Sequence, residues 1–235
     1  MRRSVLSRSR ALFLLLCCLS ANLAAEVRSL AGEWRFRPGD DPAWAAPDFD
    51  DSDWQTASVP GYWPKGGFPE VDQLGWYRLR VPVDPDDAPL SVRFGGVRYA
   101  FELYADGMRL GGAGTLPPDA SMEFDRERIL PIPVDALADG EVVFAVRVWG
   151  GFPAAVAAAG AGPYMVRPLL GNSADLMRDL LISELPIALL AFVFAIAALW
   201  FFYFFYRVPR LKTYLWFSLT AIVIAPYMLT QTQLK

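Results

Sequence analysis

The sequence predicts an all-β sandwich behind an export signal, followed by two transmembrane α-helices. Three observations carry this reading. The middle of the chain has short stretches of alternating apolar residues between Gly, Pro and Asp clusters; two long uncharged apolar runs lie near the C-terminus; and a short, Arg-flanked apolar run lies at the N-terminus. Of the 235 residues, 54% are hydrophobic. That is high for a soluble domain, and the excess is gathered at the two ends.

Arg2, Arg3, Arg8 and Arg10 precede an apolar run over residues 11–19, and small residues follow. This is the order of a secretory signal peptide, assigned to residues 1–25. The run is shorter than the roughly 20 residues a spanning helix needs. Both cysteines, Cys17 and Cys18, fall inside it, so cleavage leaves a domain with no disulfide. An uncleaved anchor is the alternative.

Residues 26–170 form the exported domain. In WYRLRV at 76–81, Tyr77, Leu79 and Val81 face one way and Arg78 and Arg80 the other. Leu90, Val92 and Phe94 repeat the pattern, as do Tyr99, Phe101 and Leu103. Asp106-Gly107 is a two-residue hairpin turn of the primed type, with residues 108–112 as the returning strand. Val142, Phe144, Val146 and Val148 alternate with Val143, Ala145, Arg147 and Trp149. Such strands, with no helical stretch of equal strength, indicate a sandwich.

Residues 171–182 read as a juxtamembrane linker helix capped by Ser173, with Leu176, Met177, Leu180 and Leu181 at helical spacing. Residues 183–206 are the first span, with Glu184 as their single charge. Trp200, Tyr203 and Tyr206 sit near its end, as interfacial aromatics do. The link 207–212 holds Arg207, Arg210 and Lys212, which marks it as cytoplasmic. Residues 213–231 are a second span containing Pro226, and 232–235 a short tail. Residues 26–182 then lie on the periplasmic side of a bacterial inner membrane, in agreement with the export signal. Two lengths are open: a complete two-span protein, or the front of a longer polytopic receptor.

Composition also excludes function classes. The chain has no His, which removes Ser-His-Asp and Cys-His nucleophile systems and most zinc sites. From residue 26 to residue 178 there are 14 Lys and Arg against 23 Asp and Glu, a net charge of −9. An acidic domain lacks the basic footprint that nucleic-acid binding requires. No cofactor is implied. The run Asp50, Asp51, Ser52, Asp53 offers hard oxygens to Ca²⁺, but Asp and Ser in such a run more often bond nearby backbone amides in a turn.

A set of motifs occurs in a definite order: GEWRF at 32–36, FDDSDW at 49–54, VPGYW at 59–63, WYR at 76–78, FGGV at 94–97, YADG at 104–107 and FAVRV at 144–148. Together they resemble the N-terminal sugar-binding domain of family 2 glycoside hydrolases, over roughly residues 30–150. The resemblance implies a jelly-roll sandwich of the galactose-binding-like type. It also implies no catalysis, because in those enzymes the catalytic carboxylates lie on a separate barrel domain that nothing in this chain matches. Followed by membrane spans, the arrangement resembles bacterial seven-transmembrane receptors with diverse intracellular signalling modules. The chain departs from them in having two spans and no output domain, so a downstream cytoplasmic signalling domain or partner would lie outside it.

The expected function is an extracytoplasmic sensor that binds a carbohydrate or other small molecule. The alternative is a non-enzymatic envelope module that binds a protein partner or acts as a folded spacer. Sugar sites combine an aromatic platform with a few polar anchors. Tyr62, Trp63, Phe68, Trp149 and Phe152, set in Gly/Pro-rich stretches, are the candidate platform; Arg78, Arg98 and Glu102 are the candidate anchors. Each anchor has a solvated strand face as its bland alternative, and each aromatic has packing against the membrane-side linker.

Overall fold

The computed structural model describes residues 27–63, 74–87, 89–151 and 162–233. The segment read as a signal peptide, and with it Phe68 and Phe152, lies outside these residues. The strands form two antiparallel sheets. The larger has the order β3 (Gln55–Val59), β2 (Gly32–Pro38), β4 (Leu74–Pro82), β9 (Glu141–Trp149), β6 (Ala100–Ala105) and β7 (Met108–Ala113). The smaller has the order β1 (Arg28–Ser29), β10 (Leu169–Gly171), β5 (Ser91–Phe94) and β8 (Arg128–Pro131).

The alternation read from the sequence decides which face is core, because successive strand residues point to opposite faces. Tyr77 and Val81 of β4, Phe101 and Leu103 of β6, and Val142, Phe144, Val146 and Val148 of β9 point inward. They meet Val92 and Phe94 of β5 and Leu170 of β10 in one buried cluster between the sheets. The turn from β6 to β7 has φ of 46° at Asp106 and 78° at Gly107. A type I′ hairpin requires positive φ at both positions, which Asp tolerates and Gly adopts freely. Asp106 also accepts the Val143 amide at 2.7 Å, which ties the hairpin to β9.

Residues 39–54 fold over the outer face of the larger sheet. Trp44 packs edge-on against Trp54 and Trp76, at 5.2 and 6.3 Å between ring centroids. Beneath this flap Arg78 is completely buried. Its Nε donates to Asp51 at 2.7 Å, and its terminal nitrogens donate to the carbonyls of Trp44, Ala46 and Phe49. The acidic run is divided among separate partners: Asp50 accepts the Ser52 amide at 3.0 Å, Asp51 holds Arg78, and Asp53 lies 3.4 Å from Arg37. No cluster of three His, Cys, Asp or Glu side chains placed to hold a metal occurs among the described residues.

β10 leads directly into α1 (Ser173–Arg207), which runs unbroken through both the segment read as a linker and the one read as a span. Its cap is Asn172, not Ser173 as the sequence suggested. Asn172 keeps an extended backbone and accepts the Ala174 amide at 2.8 Å, while Ser173 is already helical and its hydroxyl pairs with Ser91. The first three turns lie on the outer face of the smaller sheet, with Leu176 fully buried and Leu180 and Glu184 nearly so. Burying one such leucine contributes about 1.5–3 kcal/mol. Arg93 of β5 clamps the contact, 3.2 Å from Glu127 and 2.8 Å from Asp179. Beyond Glu184 the helix presents Leu189, Phe192, Val193 and Leu199 outward. α2 (Lys212–Thr230) packs back against it, with the Ser218 hydroxyl donating to the Ala198 carbonyl at 2.9 Å. Both helices are long and apolar enough to cross a membrane.

Candidate ligand-binding site

Six of the eight side chains expected to contact ligand lie among the described residues, and they fall into three environments. Trp63, Arg78 and Trp149 are buried. Trp63 packs on Phe36 at 6.1 Å, and Trp149 packs on Tyr99 at 5.9 Å. Arg78 is enclosed by the flap over the larger sheet, its guanidinium occupied by Asp51 and three carbonyls. These three side chains support the fold around a site rather than offering surface to a ligand.

Glu102 stands on the outer face of the larger sheet in a closed ion-pair network. It accepts from Tyr104 at 2.9 Å, Arg109 at 3.1 Å and Arg147 at 3.3 Å. Arg147 also reaches Asp40, which accepts the Trp76 indole N–H at 3.1 Å. Burial, with the bond to Glu102 adding, pushes the Tyr104 hydroxyl up to about 12. Glu102 therefore already has donors for its lone pairs.

Tyr62 and Arg98 come together through a residue the sequence reading did not single out. Tyr62 stacks on Tyr164, with ring centroids 5.0 Å apart and planes 12° from parallel. The Arg98 guanidinium lies 5.1 Å from the centre of the Tyr164 ring and 5.8 Å from that of Phe124. Both distances are within cation–π range. The Tyr164 hydroxyl donates to Asp125 at 2.8 Å, and burial together with that bond raises it to about 12. Backbone contacts hold the arrangement: Gly61 N–H donates to the Pro163 carbonyl at 2.9 Å, Tyr164 N–H to Gly96 at 3.2 Å, and Asp125 N–H to Val97 at 3.3 Å.

The result is an aromatic step, half exposed at Tyr62, with a cation and a carboxylate beside it. An exposed ring suits the apolar face of a sugar, and fixed charges at its edge suit hydroxyl groups. The signal that marked Tyr62, an aromatic in a Gly/Pro-rich stretch, also marks Tyr164 in GPYM at 162–165. Phe124 and Asp125 carry no comparable local signal.

No family model matches the chain. A β-galactosidase of Vibrio vulnificus is 29% identical over 37% of this chain and 11% of its own length. A β-galactosidase of Vibrio cholerae is 32% identical over 36% of this chain and 11% of its own. The chain thus spans about a tenth of the curated relatives it matches. Among solved structures, a β-glucuronidase from glycoside hydrolase family 2 superposes with a TM-score of 0.50 at 17% identity, over 64% of this chain and 18% of that one. The sandwich shares its fold with part of that enzyme.

Proposed function

We propose that the chain is the membrane-anchored, extracytoplasmic ligand-binding region of a bacterial signalling receptor, and that its jelly-roll domain takes a carbohydrate ligand without catalysis. The Tyr62–Tyr164 step, with Arg98 and Asp125 at its edge, carries this reading. A pyranose ring stacks on the exposed face of Tyr62, which Tyr164 backs and which Arg98 and Asp125 hold in place through Tyr164. Partial matches to β-galactosidases support the carbohydrate class. The same segment supports transmission: Tyr164 lies just before β10, which passes into α1 with only Asn172 between them. A shift of Tyr164 on binding therefore acts on a strand clamped to a membrane-length helix.

The test is a thermal-shift screen of the full chain in detergent against neutral and acidic sugars. A ligand at 100 times its dissociation constant stabilises by about 2.7 kcal/mol. A binding sugar should raise Tm, and Tyr62→Ala should abolish the rise without lowering the ligand-free Tm by more than a few degrees. No shift with any sugar at 10 mM, on the order of the weakest useful affinity, or a shift that survives Tyr62→Ala, would sink the proposal.

A further inference from the structure

The course of α1 orients the sandwich. Ser173 pairs with Ser91 at the start of β5, Asp179 meets Arg93 two residues along that strand, and Glu184 is buried in the next turn and a half. Glu127, the residue just before β8, lies 3.2 Å from the same Arg93. The helix therefore follows β5 from Ser91 toward Phe94. It leaves the sandwich at the end that carries the β5–β6, β7–β8 and β9–β10 connections, where Arg98, Phe124 and Tyr164 lie.

α2 returns to the same end. Gln233, three residues past Thr230, donates to the Asp125 carbonyl at 3.0 Å and accepts the Glu127 amide at 3.3 Å. At 1.5 Å per residue, α2 is about 28 Å long and the part of α1 beyond Glu184 about 34 Å. The hydrocarbon core of a bilayer is about 30 Å thick. If both helices cross it, Gln233 and the segment it grips stand within about one helical turn of the core boundary.

Among the described residues of this end, two large apolar side chains stand out beside exposed Thr115, Asp119 and Ser121. Phe124 is 62% exposed and Met165 58%. They flank one connection: the Val97 carbonyl accepts the Asp125 amide, the Gly96 carbonyl accepts the Tyr164 amide, and Met165 lies over Gly96. Arg126 and Arg167 lie within the same loops, interspersed with Asp119, Glu123, Asp125 and Glu127. On α1, Leu181 and Ile182 remain 45% and 54% exposed at the level where Leu180 and Glu184 are buried against the sandwich. The lipid-type surface of the helix thus begins beside the sandwich, before the helix has left it. At the opposite end, where α1 begins at the Ser173–Ser91 contact, Val134 is similarly exposed, at 66%, but the exposed apolar length of α1 and the end of α2 lie away from it.

We infer that this end of the sandwich is a lipid-contact surface, seated in the headgroup region of the adjoining leaflet with Phe124 and Met165 immersed and Arg126 and Arg167 facing lipid phosphates. The inference rests on α1 and α2 crossing the membrane. Aromatic and apolar side chains with flanking cations are what the membrane interface favours. Seated so, the sandwich cannot swing freely about α1, and a ligand reaches Tyr62 along the plane of the membrane.

Depth-dependent quenching tests this on the full chain carrying Cys17→Ser and Cys18→Ser. Single cysteines from Phe124→Cys, Met165→Cys, Val134→Cys and Val193→Cys are labelled with an environment-sensitive fluorophore, in vesicles of phosphatidylcholine and phosphatidylglycerol. Labels at 124 and 165 should be quenched by lipids with a doxyl group near the headgroup at least about twofold more than the label at 134. The label at 193, in α1, should be quenched by lipids with the group deep in the acyl chain. Equal, weak quenching at 124, 165 and 134 with strong quenching at 193 overturns the inference alone. A blue-shifted but unquenched label at 124 means that protein covers the surface, and also overturns it. No quenching at 193 overturns the spanning of α1 and, with it, the inference.

Discussion

Replacing Arg78 by Met tests whether this residue is a structural tie or a ligand anchor. The guanidinium has no exposed surface, and its partner Asp51 is only 13% exposed at the side chain. Methionine fills much of the volume but leaves the Asp51 carboxylate without its cation and the carbonyls of Trp44, Ala46 and Phe49 without a donor. Breaking a buried ion pair by removing one member costs about 3–5 kcal/mol. At about 3 °C per kcal/mol for a domain near this size, Tm should fall by about 10 °C. Arg78→Lys keeps the charge but not the forked geometry and should fall between the two. Adding Asp51→Leu to Arg78→Met removes the stranded charge and should recover part of the loss, with a coupling above about 0.5 kcal/mol as expected for contacting residues. Tryptophan emission is the natural probe, because Trp44, Trp54 and Trp76 form the flap packing that Arg78 holds from beneath. A fall in Tm below about 2 °C for Arg78→Met, or a selective loss of sugar-induced stabilisation at unchanged Tm, would refute the structural assignment and return Arg78 to the ligand site.

Two further outcomes follow from the sandwich–helix junction. Burial raises the Glu127 carboxyl above its ordinary 4.5, with Glu184 and Asp179 adding and Arg93 opposing. Between 4.5 and that raised value the native state holds a proton that the unfolded chain lacks, so stability rises as pH is lowered through the window and falls again as pH is raised. The wild-type Tm should therefore gain on that of Glu127→Gln as pH drops from 7 toward 4.5, and a constant difference across this range would exclude the assignment. Gly95→Ala places a methyl 2.3 Å from the Arg126 carbonyl and 2.6 Å from the Glu127 Cα. Both are backbone atoms, so the 126–127 segment must move and should cost about 1–3 kcal/mol in a melt. A variant as stable as wild type would show that this approach is not fixed.

What was legible in the sequence is what depends on local period. The inward sets of β4, β5, β6 and β9 were readable because a strand buried on one face repeats every two residues, and the helices because apolar runs of that length have few other uses. The same rule placed Arg78, Glu102 and Trp149 correctly on an outward face and then stopped. Whether an outward face meets water, a salt-bridge network or a folded-over flap depends on residues 39–54 and on loop packing that no local pattern encodes. Tyr62 and Tyr164 are about a hundred positions apart, and long-range contacts such as those of Gly61 and Val97 with Pro163 and of Tyr164 with Gly96 bring their rings into register.

The first turns of α1 show the division most clearly. Leu176, Met177, Leu180 and Leu181 read as one apolar stripe, but the structure splits them. Leu176 and Leu180 are buried against the smaller sheet, while Met177 and Leu181, on the adjoining flank, are each 45% exposed. A helix that touched only protein, with water on its far side, would have no reason to keep a second apolar edge. One with protein on one side and lipid on the other needs both. The second edge is thus the feature in the sequence itself that favours a sandwich lying against the bilayer. It also makes the position of the sandwich sensitive to a polar substitution at Leu181, a residue that touches neither the ligand step nor the core.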